Sequence, residues 1–247
     1  MGEGISLAEV AMINDMAQLQ VISHNLANIS TTGYRRDAAA TVIFDAQLLG
    51  LEDSLLAGPQ DALTPRLETR TVHEPGTLRF TGNPMDIALE SDAFFAVETP
   101  DGEAYTRQGS FRLDESGQLV TAAGWPVLST SGPVRLTTSE PRIDKSGAIW
   151  ESDQFMGQLK LVRFDAPEGL IKAGPGYFLQ SDALPTAPLD VSAEALVRQA
   201  YLENSNVQVS NEMVKLMEVM RHFESAQRVM RGYDEAMDVA ISTIAEF

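Results

Sequence analysis

The sequence contains no cysteine. Disulfides, thiolate zinc sites, iron–sulfur centres and thiol nucleophiles are thereby excluded, and the compartment stays open because such a chain tolerates oxidising and reducing surroundings alike. Aromatic residues are scarce at 7%, too few for a platform that stacks bases or sugar rings. Basic residues are outnumbered: 18 Lys and Arg stand against 35 Asp and Glu, for a formal net charge of −17 at pH 7. A nucleic-acid partner requires a basic footprint to neutralise phosphates, and an anionic membrane surface would repel this chain. The acids are scattered and form no block, so they read as a source of solubility. No apolar run approaches the length of a membrane span. The N-terminal stretch shows no basic segment followed by an apolar one, and Glu3, Glu9 and Asp15 interrupt it. The expectations are no nucleic acid, no direct membrane insertion and, if the protein leaves the cytoplasm, no cleaved signal peptide.

What the chain does have is apolar residues, 44% of its 247, enough to bury a core of one large domain or two modest ones. The two ends read as helix. Ile5, Ala8, Met12, Asp15, Leu19, Ile22, Leu26 and Ile29 recur at alternating steps of three and four, the seam of a coiled coil, with Asp15 its one polar member. This helix is expected to stop near Asn28, where Ser30-Thr31-Thr32-Gly33 supplies turn chemistry. At the other end the seam runs Met213, Leu216, Met220, Phe223, Gln227, Met230, Asp234, Met237, Ile241 and Ile244. Ser210 is placed to cap its start, with Glu212 favourable to the helix dipole. Each helix must bury its stripe, either against the other or over the middle of the chain; charged flanks around a strict 3-4 seam favour helix on helix.

Between the ends, residues 41–71 carry Gly50, Gly58, Pro59 and Pro65 without clean periodicity and read as an irregular connector. Residues 76–189 read as strand. Short apolar runs such as Phe94-Phe95-Ala96-Val97 are bounded by turn residues, Asp101-Gly102 signals a hairpin, and Asp-x-Ser-Gly occurs at Asp114–Gly117 and again at Asp144–Gly147. The expected fold is α+β: N- and C-terminal helices pairing as a coiled-coil-like layer, with a central all-β domain that is a sandwich or a partly closed barrel. The expected division is 1–36 plus 200–247 as a discontinuous helical domain, 37–75 as connector, and 76–199 as the β domain.

A search for chemistry returns little. His24, His73 and His222 stand in no metal-ligand spacing, and His222-Phe223-Glu224 does not match His-Glu-x-x-His. There is no G-x-S-x-G elbow and no phosphate-binding loop, and Gly174-Pro175-Gly176 lacks the third glycine of a dinucleotide fingerprint. Acids are plentiful, but nothing in the sequence places a catalytic pair together. No catalytic residue, cofactor or metal is expected.

Four stretches carry a resemblance. Val21-Ile22-Ser23-His24-Asn25-Leu26-Ala27-Asn28-Ile29-Ser30-Thr31-Thr32-Gly33-Tyr34-Arg35-Arg36 resembles the N-terminal motif of the flagellar rod and hook axial proteins, with His24 where the family usually has asparagine. Thr81–Leu89 running on to Phe94–Val97 is similar to the family's first central strands, with Ala93 in place of a common glycine. Tyr105-Thr106-Arg107-Gln108-Gly109-Ser110-Phe111 is similar to its next hairpin, and Leu202-Glu203-Asn204-Ser205-Asn206-Val207 to the approach to its last helix. The blocks follow family order from about residue 19 to 237. The short single β region looks more like the proximal rod subunits than the distal rod or the longer hook subunit.

The resemblance implies a structural subunit of the basal-body rod, in the periplasm, that assembles with copies of itself and with other flagellar rod proteins after passage through the flagellar export apparatus. It also implies that Asn25, Asn28, Thr31, Thr32 and Gly33 fix how the first helix hands over to the connector. The seam residues Leu19, Ile22, Leu26, Ile29, Met213, Leu216, Met220, Phe223, Met230, Met237 and Ile241 are the candidates for helix packing. The other classes that the sequence allows are a secreted β-sandwich binding module with a helical oligomerisation stalk, and a carboxylate-dependent hydrolase on the β region.

Overall fold

A computed structural model describes residues 2–42, 66–180, 189–190 and 196–245. The chain divides into two compact units, one of Met1–Leu26, Asp37–Arg70 and Gln208–Phe247, the other of Ala27–Arg36 and Thr71–Val207.

The first unit holds the helices α1, Gly2–Ala27, and α2, Val209–Ala245. Neither contains proline, and Ala, Met and Glu, all good helix formers, recur in both. At 1.5 Å per residue they are about 39 and 56 Å long. α1 stops where Asn28 turns the chain, the Thr31 amide donating to the Asn28 carbonyl at 3.2 Å. α2 begins at Val209, so Ser210 lies inside the first turn and is not its cap; the Gln208 carbonyl accepts from the Glu212 amide at 3.0 Å. The irregular connector expected over 41–71 falls largely on residues 43–65, which lie outside the described residues. Its described flanks, Asp37–Val42 and Arg66–Thr71, are strands that pair with each other.

The second unit is antiparallel β. Its largest sheet has six strands in the order Ile171–Gly174, Tyr177–Leu179, Gly102–Thr106, Phe94–Thr99, Leu161–Arg163, Leu189–Asp190. Both faces of this sheet are covered. Phe95, Val97 and Leu161 join one buried cluster, while Phe94, Ala96 and Val162 join another. That is why the run Phe94-Phe95-Ala96-Val97 is continuously apolar, since a strand covered on one side alone would alternate. Around it lie a three-stranded meander, Arg142–Ile143, Ala148–Glu151 and Gln154–Gln158, and four two-stranded pieces. Among the described residues no sheet closes on itself, so the observed class is α+β with several open antiparallel sheets.

Turn chemistry sets the connections. The hairpin signalled by Asp101-Gly102 joins Phe94–Thr99 to Gly102–Thr106, with Thr99 paired to Gly102 and Pro100-Asp101 at the tip. The two Asp-x-Ser-Gly turns are built alike. In each, one carboxylate oxygen accepts from the backbone two and four residues on, at 2.9 and 2.7 Å for Asp114 and at 2.9 and 3.0 Å for Asp144. The aspartate side chain thereby replaces a backbone turn partner.

Candidate functional site

Three of the four stretches that carry the resemblance converge on one carboxylate in the β unit. Glu203 ends the strand Tyr201–Glu203, which pairs with Leu78–Phe80. Its side chain is 1% exposed and lies between two guanidinium groups that are each 2% exposed. Arg35 Nη1 donates to Oε1 at 2.6 Å and Arg107 Nε to Oε2 at 2.9 Å. The Gly76 amide donates to Oε1 at 2.7 Å. Arg107 also donates from Nη1 to the carbonyl oxygens of Ser91 and Ala93. Burial pulls the Arg107 pKa below its ordinary value, the Glu203 charge pulls it back up, and the nearby Arg35 charge lowers it again. Charges this deep are tolerated because each is hydrogen-bonded as well as paired.

The backbone around this knot is as closely fitted as the side chains. Gly33 has φ of +64°, and its amide donates to the Glu203 carbonyl at 2.8 Å. A Cβ at residue 33 would lie 2.4 Å from the Arg107 carbonyl carbon. Gly109 is packed against Ile87 in the same way: a Cβ there would fall 1.5 Å from the Ile87 carbonyl oxygen. Next to Gly33, Tyr34 is fully buried, and Lys172 places its ammonium 4.2 Å from the ring centroid while donating to the Arg35 carbonyl at 2.9 Å. Asn206 holds the following residues, its Oδ1 accepting from the Arg36 amide at 2.7 Å and its Nδ2 donating to the Val72 carbonyl at 2.9 Å. Residues 33–36 are thus held against the β strands by groups more than 70 positions away in sequence.

Beside the knot is a cleft of about 450 Å³, lined by Arg35, Arg107, Phe94, Phe164, Asp92 and Asp165 among others. Both buried arginines are engaged by Glu203, and Arg107 also by the Ser91 and Ala93 carbonyls, while Arg35 Nε is buried without a hydrogen-bond partner. The arrangement clamps chain segments together.

In the helical unit, two polar contacts join α1 to α2. Asp15, 5% exposed, lies with Oδ2 2.6 Å from His222 Nδ1. Asn25, 1% exposed, donates from Nδ2 to Glu212 Oε2 at 3.2 Å. The order of partners shows that the helices run antiparallel. Asn25 also bonds Asp37 in both directions, donating to its carbonyl at 2.7 Å and accepting from its amide at 2.8 Å. Glu212 is itself 2% exposed and pairs with Lys215 at 3.3 Å.

The residues singled out from the sequence are placed as follows. On α1 and the turn after it, Ile22, Asn25 and Gly33 are buried, and Leu19, Leu26, Asn28, Ile29 and Thr32 are half-buried. On α2, Leu216, Phe223 and Met230 are half-buried, whereas Met213, Met220, Met237 and Ile241 stand between 47% and 60% exposed. The row that α2 buries within the chain contains Glu212, Val219 and Ala226, flanked by Leu216, Phe223, Gln227 and Met230. It lies one residue before Met213, Met220 and Gln227 of the sequence-derived seam. The Glu203 knot had no place among those residues, because charged side chains read as solvated unless a partner is visible. The available signal was that Arg35, Arg107 and Glu203 each fall inside one of the resembling stretches.

Comparison with known proteins covers most of the chain. Residues 5–35 match the flagella basal body rod protein family, residues 88–150 the flagellar hook protein FlgE/F/G D1 domain, and residues 198–243 the flagellar basal body rod FlgEFG protein C-terminal family. The chain is 32% identical to the flagellar basal-body rod protein FlgF of Mesorhizobium japonicum, covering 95% of this chain and 96% of that one. It is 31% identical to the FlgG of Buchnera aphidicola over 89% of this chain and 91% of that one, and 30% identical to the FlgG of Bacillus subtilis over 94% and 95%. The chain therefore belongs to the flagellar basal-body rod protein family.

Proposed function

We propose that this chain is a subunit of the proximal part of the rod, built into the axial tube of the basal body by stacking on copies of itself and on other rod proteins. Its role is structural and not enzymatic, as in the family to which it belongs. The observation that supports stacking is the outward row on α2. Met213, Met217 and Met220 are 51%, 50% and 48% exposed, and farther along Met237 and Ile241 are 47% and 60% exposed. Large apolar side chains at steps of three and four on one helix are costly in water, and covering the half that is exposed stabilises by roughly 1 kcal/mol each. A contact between copies that does not close on itself builds a tube.

In this reading α1 and α2 form a coiled-coil-like layer of the tube. The subunit passes through the flagellar export apparatus, and its helices gain their final burial as it docks, so that folding and assembly are coupled. Asn25, Asn28, Thr32 and Gly33 fix the hand-over from α1. A position in the distal rod is the second reading, supported by FlgG relatives that match at 30–31% identity over most of the chain.

The test is Met220→Asp, which places a charge in the outward row without touching the β unit. Rod assembly and motility are expected to be lost while the purified protein keeps its β signature in circular dichroism. Normal motility in the Met220→Asp strain would remove the reading.

A further inference from the structure

We infer that two polar bridges between the terminal helices, Asp15–His222 and Asn25–Glu212, in which Asp15, Asn25 and Glu212 are buried and His222 is exposed, set the register of α1 along α2. They thereby decide which length of α2 is covered by α1 and which is left for neighbouring subunits, a consequence that rests on the rod reading. The apolar row cannot do this by itself. Leu216, Phe223 and Met230 repeat at seven residues, as do Val219 and Ala226, so sliding α1 by one heptad meets an equivalent surface. The polar pairs do not repeat in this way. They lie ten residues apart on each helix, about 15 Å, and in opposite order, so one alignment satisfies both.

A slip in one direction sets Asp15 opposite Val229 and Asn25 opposite Val219, leaving a carboxylate and an amide against aliphatic side chains. A slip in the other sets Asp15 opposite Lys215 but carries Asn25 past the start of α2 at Val209 and separates it from Glu212. Both slips break the Asn25–Glu212 bond, although Asn25 keeps its bonds to Asp37, and the first also strands the Asp15 carboxylate, 5% exposed, which then carries its full desolvation cost. The charged groups around the bridges do not supply an alternative. On α1 the positions three and four away from Asp15 are Ala11, Met12, Gln18 and Leu19. On α2, Glu218 precedes His222 by four and Lys215 already pairs with Glu212, while Asp37 of the adjoining strand bonds Asn25. A single polar pair in an otherwise apolar helix seam is a known way of specifying register at some cost in stability.

Because the chain has no cysteine, the test carries no background. Gln18→Cys is combined with Val219→Cys, whose native residues line the same groove, or with Ala226→Cys, one heptad on. A short bismaleimide is then applied to the full-length purified protein. With the bridges intact, the 18–219 product is expected to exceed 18–226 by about tenfold or more, the preference that one stranded charged hydrogen bond supplies. In an Asp15→Leu, Glu212→Leu background the two products are expected to approach equal yield. Asp15→Asn, which keeps a hydrogen bond to His222, is expected to retain the single product and guards against mere loss of helix. A persistent 18–219 preference in the double Leu variant, or mixed products in Asp15→Asn, would overturn the inference. The crosslinks are read on the isolated chain, so their failure leaves the rod reading intact, and Met220→Asp tests that reading without altering either bridge.

Discussion

Gly33 sits so close to Arg107 that a methyl group at residue 33 would lie 2.4 Å from the Arg107 carbonyl carbon. The glycine also holds φ at +64°, a conformation that disfavours other L-residues. Gly33→Ala therefore meets two costs, about 1–2 kcal/mol for the backbone and about 1–3 kcal/mol for forced displacement of the neighbouring strand. Gly124→Ala isolates the first, since Gly124 has φ of +87° with nothing within 4 Å of its would-be Cβ. Urea unfolding of the two variants should show Gly33→Ala the more destabilised by at least about 1 kcal/mol.

Removing the Glu203 carboxylate leaves two arginines buried without their shared counter-charge. Glu203→Ala should cost about 3–5 kcal/mol, the range for breaking a buried ion pair from one side. Replacing Lys160 of the half-exposed Lys160–Glu103 pair, 2.7 Å apart, should cost less than about 1 kcal/mol. Chemical denaturation measures both, and equal losses would mean that the Glu203 knot is no more consequential than a surface pair.

Much of the organisation was legible in the sequence, and the reasons are local. Helical periodicity at both ends, the continuously apolar strand Phe94–Val97 and the repeated Asp-x-Ser-Gly turns each reflect residues within a few positions of one another. The phase of α2 was not legible. Met213, Val214, Met217, Val219 and Met220 offer apolar side chains around more than half of the helix, so a 3-4 pattern can be drawn through Met220 as readily as through Val219. Nor could the burial of Arg35, Arg107 and Glu203 be read, because their pairing spans separations of 168 and 96 residues. It is a product of tertiary packing, which local patterns do not encode.

Acid should weaken the β unit through three carboxylates. The Gln118 amide and the Ser116 hydroxyl hold Asp114 below its ordinary value of 3.8. Burial pushes Asp144 upward, but the Ser146 and Ala148 hydrogen bonds prevail and leave it lowered from 3.8. Thr137 and Thr138 hold Glu151 below 4.5. A depressed folded-state pKa gives stability that is present above the ordinary carboxylate value and is lost as pH falls through the folded one. The denaturation midpoint should therefore hold from pH 7 to about 5 and decline below about pH 4. Asp144→Asn should be less stable than the parent at pH 7, with the gap narrowing towards pH 2.5. A gap that does not change with pH would show that the charge on Asp144 contributes nothing.

The account rests on this chain being covered along α2 by other subunits in a tube. Basal bodies purified from cells carrying an epitope-labelled copy, and imaged with the label, give the most direct measurement. The label should lie in the rod, on the motor side of the hook, and Met220→Asp should remove it. A wild-type copy that is stably produced yet absent from the rod would contradict the account.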